Sequence, residues 1–441
     1  MARESLSGAK SGLKELRNRL FFLLVALIFY RLGAYIPVPG IDPLKLAQFF
    51  NSESNSVFGL FNMFSGGALS RLSLFALGIM PYISASIIVQ LLSSLIPSLQ
   101  ALKKEGESGQ RKIIRYTRFA TLLLALIQSF GMSRYIAEQG LVYFPSALFY
   151  LTATLTLTTG TVFLMWLGEQ ITERGVGNGI SLLIFASIVS GLPTAVSHTF
   201  DQVRQGNLTF FALLVILAVI VLALVCVVFV ERAQRRITIN YPKRQQGNKI
   251  FSAQSSHLPF KINISGVIPP IFASAVLLFP MTISQWFSAS SPGMSWLAKV
   301  GSALSPPQPL YMICYAILVI FFCFFYAAMV FNPRETAENL KRSGAFVPGI
   351  RPGEQTAKFI DSVMSRLTLS GGIYVTLVSL LPMFLMLGWN VPFYFGGTSL
   401  LIVVVVMMDF MAQIQSHLMS AKYDSLLNKS KFKKSAGSSF V

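Results

Sequence analysis

The chain has 441 residues, 53% hydrophobic and 12% charged, with a mean hydropathy of +0.62. Long uncharged runs recur along its whole length, which excludes a water-soluble domain and defines a polytopic α-helical membrane protein. The formal net charge is +19, but its placement in alternate connections accounts for most of it, and no nucleic-acid partner is required.

Ten spans are expected, at about 20–36, 72–96, 116–135, 147–167, 178–196, 208–230, 267–287, 310–331, 367–387 and 397–419. Residues 1–19 are polar and basic rather than a cleavable leader. The first span ends YRLGAYIPVPG without a small-x-small cleavage site and is expected to remain an anchor. Among the 36 Lys and Arg residues, all but Arg31, Lys45, Arg71, Arg134, Arg204 and Lys299 lie before span one, after span ten, or in the even-to-odd connections and their helix ends. That asymmetry places both termini in the cytoplasm.

After span one comes a Gly-broken apolar piece, Phe61 to Leu69. It is too short to cross a bilayer, which takes about 20 residues. An apolar helix from about Leu72 follows, with Pro81 in its middle. A half-helix leading into a kinked span suits a cavity lining; a re-entrant loop that fills a bundle is the alternative.

Two stretches repeat five spans apart. Gly78-Ile79-Met80-Pro81-Tyr82-Ile83-Ser84-Ala85-Ser86 in span two is matched by Gly266-Val267-Ile268-Pro269-Pro270-Ile271-Phe272-Ala273-Ser274 at span seven. Span five begins Gly179-Ile180-Ser181-Leu182-Leu183-Ile184, and span ten begins Gly397-Thr398-Ser399-Leu400-Leu401-Ile402. A duplicated unit with an odd number of crossings re-enters from the opposite face, so the halves are inverted about an axis in the membrane plane. The matched positions carry isoleucine, Ile83 with Ile271 and Ile184 with Ile402, where a solute carrier would place charges. Ile79 and Ile188 lie four residues from Ile83 and Ile184. Such residues are ordinarily core or lipid-facing; the other reading is an apolar collar that closes a pore by dewetting.

The remaining chemistry is sparse. Cys226, Cys314 and Cys323 fall inside apolar runs, with no disulfide framework or metal spacing. Asp409, the acid well inside a span, is read as a structural partner within the bundle, with a proton relay as the alternative. Gln90 reads as an interhelical hydrogen-bonding group. His198, His257 and His417 have no second ligand at metal spacing. No nucleophile elbow, zinc motif, phosphate loop or facing acid pair occurs, so neither an enzyme nor a cofactor is expected.

Two connections on the basic side are long. Residues 231–266 contain ERAQRRITINYPKRQQGNKIF, where alternation over Ile237 to Tyr241 suits a strand and Pro242 a hairpin turn. Residues 332–366 favour helix over Arg334 to Lys341 and Thr356 to Arg366, around a Gly/Pro tip from Gly344 to Gly353 that carries Arg351. Their basic clusters suit docking of a cytosolic machine, including contact with RNA phosphates.

The stretches NMFSGGALSR, GIMPYISASII, ITERGVGNGIS, NYPKRQQG, FNPRETAENLK, SGAFVPGIRPGEQTA and GGTSLLIVVVVMMDFMAQ resemble the bacterial SecY family, the channel subunit of the Sec protein translocase. The resemblance runs from span one through span ten. It implies an all-α clamshell of ten transmembrane helices in two inverted five-helix halves, with a short plug half-helix. The implied pore ring is Ile79, Ile83, Ile184, Ile188, Ile271 and Ile402. The implied plug is residues 62–72, including Phe64, Ser65, Gly66, Gly67, Ala68, Leu69, Ser70 and Arg71. Pro81, Gln90, Pro270 and Ser274 fall on the helices of the lateral gate. Arg235, Arg236, Lys243, Arg244 and Arg351 fall on the docking loops; Pro242 stands where the family more often has Ala. The implied partners are SecE-like and SecG-like subunits, the SecA motor ATPase, a translating ribosome, signal sequences, nascent chains and membrane lipid. The implied divisions are 20–196 (spans one to five), 197–230, the loop 231–266, 267–331, the loop 332–366, 367–419 and a cytoplasmic tail 420–441. The implied activity is passage of unfolded secretory chains across the bacterial plasma membrane and lateral release of hydrophobic segments. A secondary transporter for a small apolar solute is the rival on the residues alone, and an intramembrane enzyme a distant third.

Overall fold

The computed structural model describes residues 2–52, 62, 64–144, 146–206, 209–241, 244–246, 249–251, 254–288, 301, 303–305, 308–389 and 397–437. The first helix, α1 (Ala2–Gly33), carries the basic N-terminus and most of span one in one rod, and α2 (Pro43–Ser52) is short. Between them and span two the expected half-helix takes another form. Asn62 and Phe64 are helical, but 65–79 runs as successive turns stitched by i→i+3 bonds such as Leu72 N–H to the Leu69 carbonyl (2.9 Å) and Gly78 N–H to Phe75 (2.9 Å). Leu72 itself takes a left-handed φ of 38°.

Span two is therefore shorter than its apolar run. Helix α3 (Met80–Leu95) begins at Met80, so Pro81 lies in its first turn rather than at a central kink. That position suits proline, whose missing N–H has no acceptor in a first turn. The helix then bends by 102° at Ile96 into α4 (Pro97–Lys104). The spans α5 (Glu107–Glu138), α6 (Ala147–Arg174), α7 (Gly179–Arg204) and α8 (Phe210–Arg232) follow.

The first long loop is a two-tier hairpin. β1 (Gln234–Tyr241) pairs antiparallel with β4 (Gln254–Lys261), and β2 (Arg244–Gln246) with β3 (Lys249–Phe251). Then come α9 (Ile268–Ser288), α10 (Pro309–Val330), α11 (Pro333–Arg342), α12 (Glu354–Trp389) and α13 (Gly397–Gly437). The helix expected over Thr356 to Arg366 is the start of α12, continuous with span nine. The two loops join through paired backbone bonds between Asn240 and Phe346 (2.9 and 3.0 Å). Beneath them Ile237, Phe260, Val347, Ile360, Val363, Met364 and Leu367 form a separate apolar core. Alternation along β1, with Ile237 and Ile239 inward and Arg236 and Thr238 outward, seats the hairpin on that core.

Seven helices among the described residues are long and apolar enough to cross a membrane, eight if the bent α3–α4 pair counts as one; Ile268–Thr282 of α9 is a shorter apolar helix. The fold is that of an all-α polytopic membrane protein. Packing repeats at the expected five-span offset: α3 on α5 and α5 on α6 are echoed by α9 on α10 and α10 on α12, and α6 on α7 by α12 on α13. Local geometry repeats as well. Gly78 (φ 58°) and Gly266 (φ 63°) both adopt the left-handed turn that starts a Pro-led helix two residues later, and Gly179 and Gly397 each open a helix. Across the halves α3 meets α9, α7 meets α13 and α1 meets α13.

Candidate functional site

The four helices that the repeat pairs bring the six isoleucines into one body. Ile79 sits at the N-cap of α3 and Ile83 one turn on; Ile184 and Ile188 are a turn apart on α7. Ile271 lies in the first turn of α9 and Ile402 in the second of α13. All six are buried in a single continuous apolar cluster, Ile402 with 0% exposure. None of them carries a group that could coordinate an ion or bind a polar solute, and a narrow passage lined this way wets poorly.

The turn segment 64–72 belongs to the same cluster through Phe64, Ala68, Leu69 and Leu72. It is held by polar contacts to its own backbone and to two helices. Asn62 Oδ1 accepts from Ser70 N–H (2.9 Å), the Ser65 hydroxyl accepts from Leu69 N–H (3.2 Å), and Ser70 Oγ donates to the Gly67 carbonyl (2.9 Å). From α1, Tyr30 donates its hydroxyl to the Ser65 carbonyl (3.3 Å) and shares a 2.6 Å bond with Ser187 Oγ of α7. Arg31 Nη1 donates to the Gly66 carbonyl (2.9 Å), and Ser190 Oγ donates to the same oxygen (3.3 Å). Ser187 lies between Ile184 and Ile188, so the segment is tied directly to an isoleucine-bearing helix. Arg71 and Arg31 both stand over the Tyr35 ring, 4.1 and 5.1 Å from its centroid.

Of the residues expected on the lateral gate, Pro81 and Pro270 are buried in the first turns of α3 and α9. The Ser274 hydroxyl donates to the Ile271 carbonyl one turn back (2.8 Å). Gln90 departs from expectation: its amide donates to Ser86 Oγ in the same helix (3.3 Å) rather than across helices, and its buried Oε1 has no partner. Asp409 also departs. It is 59% exposed and sits 3.9 Å from Lys261 Nζ at the foot of the hairpin, not inside the bundle, because α13 continues well past the apolar run.

Of the basic loop residues expected to dock a partner, Arg235 and Arg236 project from β1 and Arg351 from the tip before α12, all exposed. Arg244 lies in β2, while Lys243 is outside the described residues. Sequence reasoning missed Tyr30, Arg31, Ser187 and Ser190 as anchors of the turn segment. The serines stand on the face of α7 next to Ile184 and Ile188, a spacing that could have marked them; nothing in the sequence singles out Tyr30.

Helices equivalent in pairs that gather matched isoleucines into one buried apolar cluster belong to a polytopic membrane protein with an internal duplication. The family model described as SecY matches residues 73–411. The protein translocase subunit SecY of Vibrio cholerae is 59% identical over 434 residues, covering 98% of each chain. The fold is similar to a solved protein-conducting channel (17% identity, TM-score 0.68, 93% of each chain). It is also similar to canine Sec61 in a ribosome–channel complex from the endoplasmic reticulum (16% identity, TM-score 0.65, 93% of each chain). The chain belongs to the SecY family.

Proposed function

We propose that this chain is the channel subunit of a bacterial protein translocase and that the six isoleucines are its pore ring. The observation that carries the reading is their convergence, from four helices equivalent in pairs, into one buried apolar cluster shared with the anchored segment 64–72. A polypeptide needs a passage without specific binding groups, and flexible apolar side chains fit around many sequences. At rest the ring limits ion leakage, and the turn segment acts as the plug above it. Helices α3 and α9, in contact across the halves, form the lateral gate. A segment in the channel then partitions between water and lipid. A leucine gains about 0.5 kcal/mol at the centre of a membrane helix and a lysine or aspartate loses about 3 kcal/mol, so hydrophobic segments leave sideways and polar ones continue.

The chain performs no catalysis in this reading; driving force comes from partners or the proton-motive force. The joined loops, with Arg235, Arg236, Lys243, Arg244 and Arg351, form a basic face for a SecA-type motor or a ribosome, the latter supported by the likeness to the ribosome-bound canine channel. SecE-like and SecG-like subunits complete the complex in the plasma membrane, with both termini cytoplasmic. The two halves are 20–196 and 267–419, joined through 197–230 and the loop 231–266 and followed by the tail 420–441. The test is translocation of a presecretory protein into proteoliposomes containing this chain, its small subunits, motor and ATP. Protease-protected product supports the reading; its absence from an intact, motor-binding complex overturns it.

A further inference from the structure

The start of α9 is built on one buried side chain. Asn263 is 3% exposed, and its Oδ1 accepts from Gly266 N–H (3.1 Å) and from the Ser265 hydroxyl (3.2 Å), while its Nδ2 donates to the Gly266 carbonyl (3.1 Å). These bonds shape the left-handed turn at Gly266 from which α9 departs. The same Nδ2 donates to Glu231 Oε1 at 2.6 Å. Glu231 is 7% exposed and stands in the last turn of α8. A carboxylate there faces the negative end of the helix dipole, and burying it is costly unless a strong hydrogen bond compensates. Helix stability does not explain the residue; its grip on Asn263 does.

The pair borders a cavity of about 250 Å³ that also takes in Asn178, Lys261, Asp409 and Gln413. Asn178 caps α7, so the pair lies where both isoleucine-bearing helices α7 and α9 begin. We infer that Glu231 is a positioning residue for the lateral gate: by clamping Asn263 it fixes where α9 starts, and with it Pro270, Ile271 and Ser274. Gate opening moves α9 against the end of α8, so the clasp sets how hydrophobic a segment must be before it opens the channel. This inference rests on the gate assigned under Proposed function.

The test uses the reconstituted complex and a series of presecretory proteins whose signal segments differ only in leucine content. Glu231→Ala raises translocation of the weakest segments roughly tenfold, the weight of one hydrogen bond to a charged group, and Asn263→Ala, which also loses the bonds at Gly266, raises it at least as much. The double variant gains no more than Asn263→Ala alone, because Glu231 acts only through Asn263, and Glu231→Gln, which keeps the acceptor oxygen, stays near wild type. Unshifted thresholds, or shifts that add, overturn the clasp. If the alanine variants fail to accumulate, Asn263→Asp opposes two carboxylates and loosens the gate, and Glu231→Gln/Asn263→Asp recovers part of the threshold by reversing donor and acceptor, the bond to the Gly266 carbonyl staying lost in both; a double variant no different from Asn263→Asp overturns the clasp. Wild-type complex that translocates no segment defeats the channel reading itself, whereas wild-type translocation with identical thresholds in the variants defeats only the clasp.

Discussion

Gly66 is the position where seating of the proposed plug is most exposed to a single atom. A methyl group there would stand 2.9 Å from Ser190 Oγ, 3.0 Å from Ser187 Cα and 3.2 Å from the Ser187 carbonyl oxygen. The serine hydroxyl can rotate away, but the Ser187 backbone is fixed inside α7. Gly66 also holds φ at 66°, where a side chain costs about 1–2 kcal/mol. Overpacking of this kind adds about 1–3 kcal/mol, so Gly66→Ala should weaken the seated state by about 2–5 kcal/mol. The displaced segment bears none of this, and the seated-to-displaced ratio falls roughly thirtyfold to several thousandfold. Neighbouring Gly67 is the control: its φ is 81°, yet nothing lies within 4 Å of an added methyl, so Gly67→Ala carries the backbone part alone. Resting ion conductance of the purified complex in planar bilayers reads the difference. Gly66→Ala should leak strongly and Gly67→Ala weakly; equal leaks, or wild-type conductance in a folded Gly66→Ala channel, would refute the contact with α7.

Removing the Tyr30 hydroxyl with Tyr30→Phe should raise resting conductance by about tenfold, the equivalent of roughly 1.4 kcal/mol for a buried hydrogen bond; unchanged conductance would show that the Ser65 carbonyl does not depend on it. Asparagine at Ile83, Ile188 and Ile402 together should increase ion leakage by wetting the constriction, and a tight seal in correctly folded protein would rule out the gasket role. Charge reversal at Arg351 should impair motor-driven translocation while complex assembly, followed by size-exclusion chromatography, stays normal. Ile360→Ala removes a side chain with no exposed surface from the core beneath the loops and should cost about 2–5 kcal/mol of local stability; faster proteolysis of the hairpin and tip, with the spans intact, is the expected readout.

The helical membrane class and the duplicated halves could be read directly from the residues, because Gly-x-x-Pro and Gly-x-Ser-Leu-Leu-Ile recur at one offset and the structure gives each pair the same backbone role. The isoleucines were visible as matched apolar positions where a carrier would have charges, although pattern alone could not distinguish a collar from ordinary core. Helix starts inside continuous apolar sequence were not legible. The run from Leu72 to Ile96 carries no charge to mark a boundary, and proline at a first turn looks the same in sequence as proline at a kink, so the helix start at Met80 leaves no signal. The segment 65–79 has helix-like composition, yet its left-handed glycines and tertiary bonds from Tyr30 and Arg31 hold it in turns. The Glu231–Asn263 pair was equally hidden, since its 32-residue separation closes only when the hairpin folds back. Asp409 looked intramembrane because the apolar run ends only a few residues later, whereas the helix carries it to the level of Lys261.

The central claim is that a polypeptide in transit threads the six isoleucines. Photo-crosslinking probes at Ile79, Ile83, Ile184, Ile188, Ile271 and Ile402, with further probes at the exposed Phe119 and Leu222, test it in proteoliposomes holding a stalled presecretory chain. Crosslinks to the chain from the six positions and not from Phe119 or Leu222 are the predicted result; a stalled, protease-protected chain that crosslinks to none of the six would contradict it.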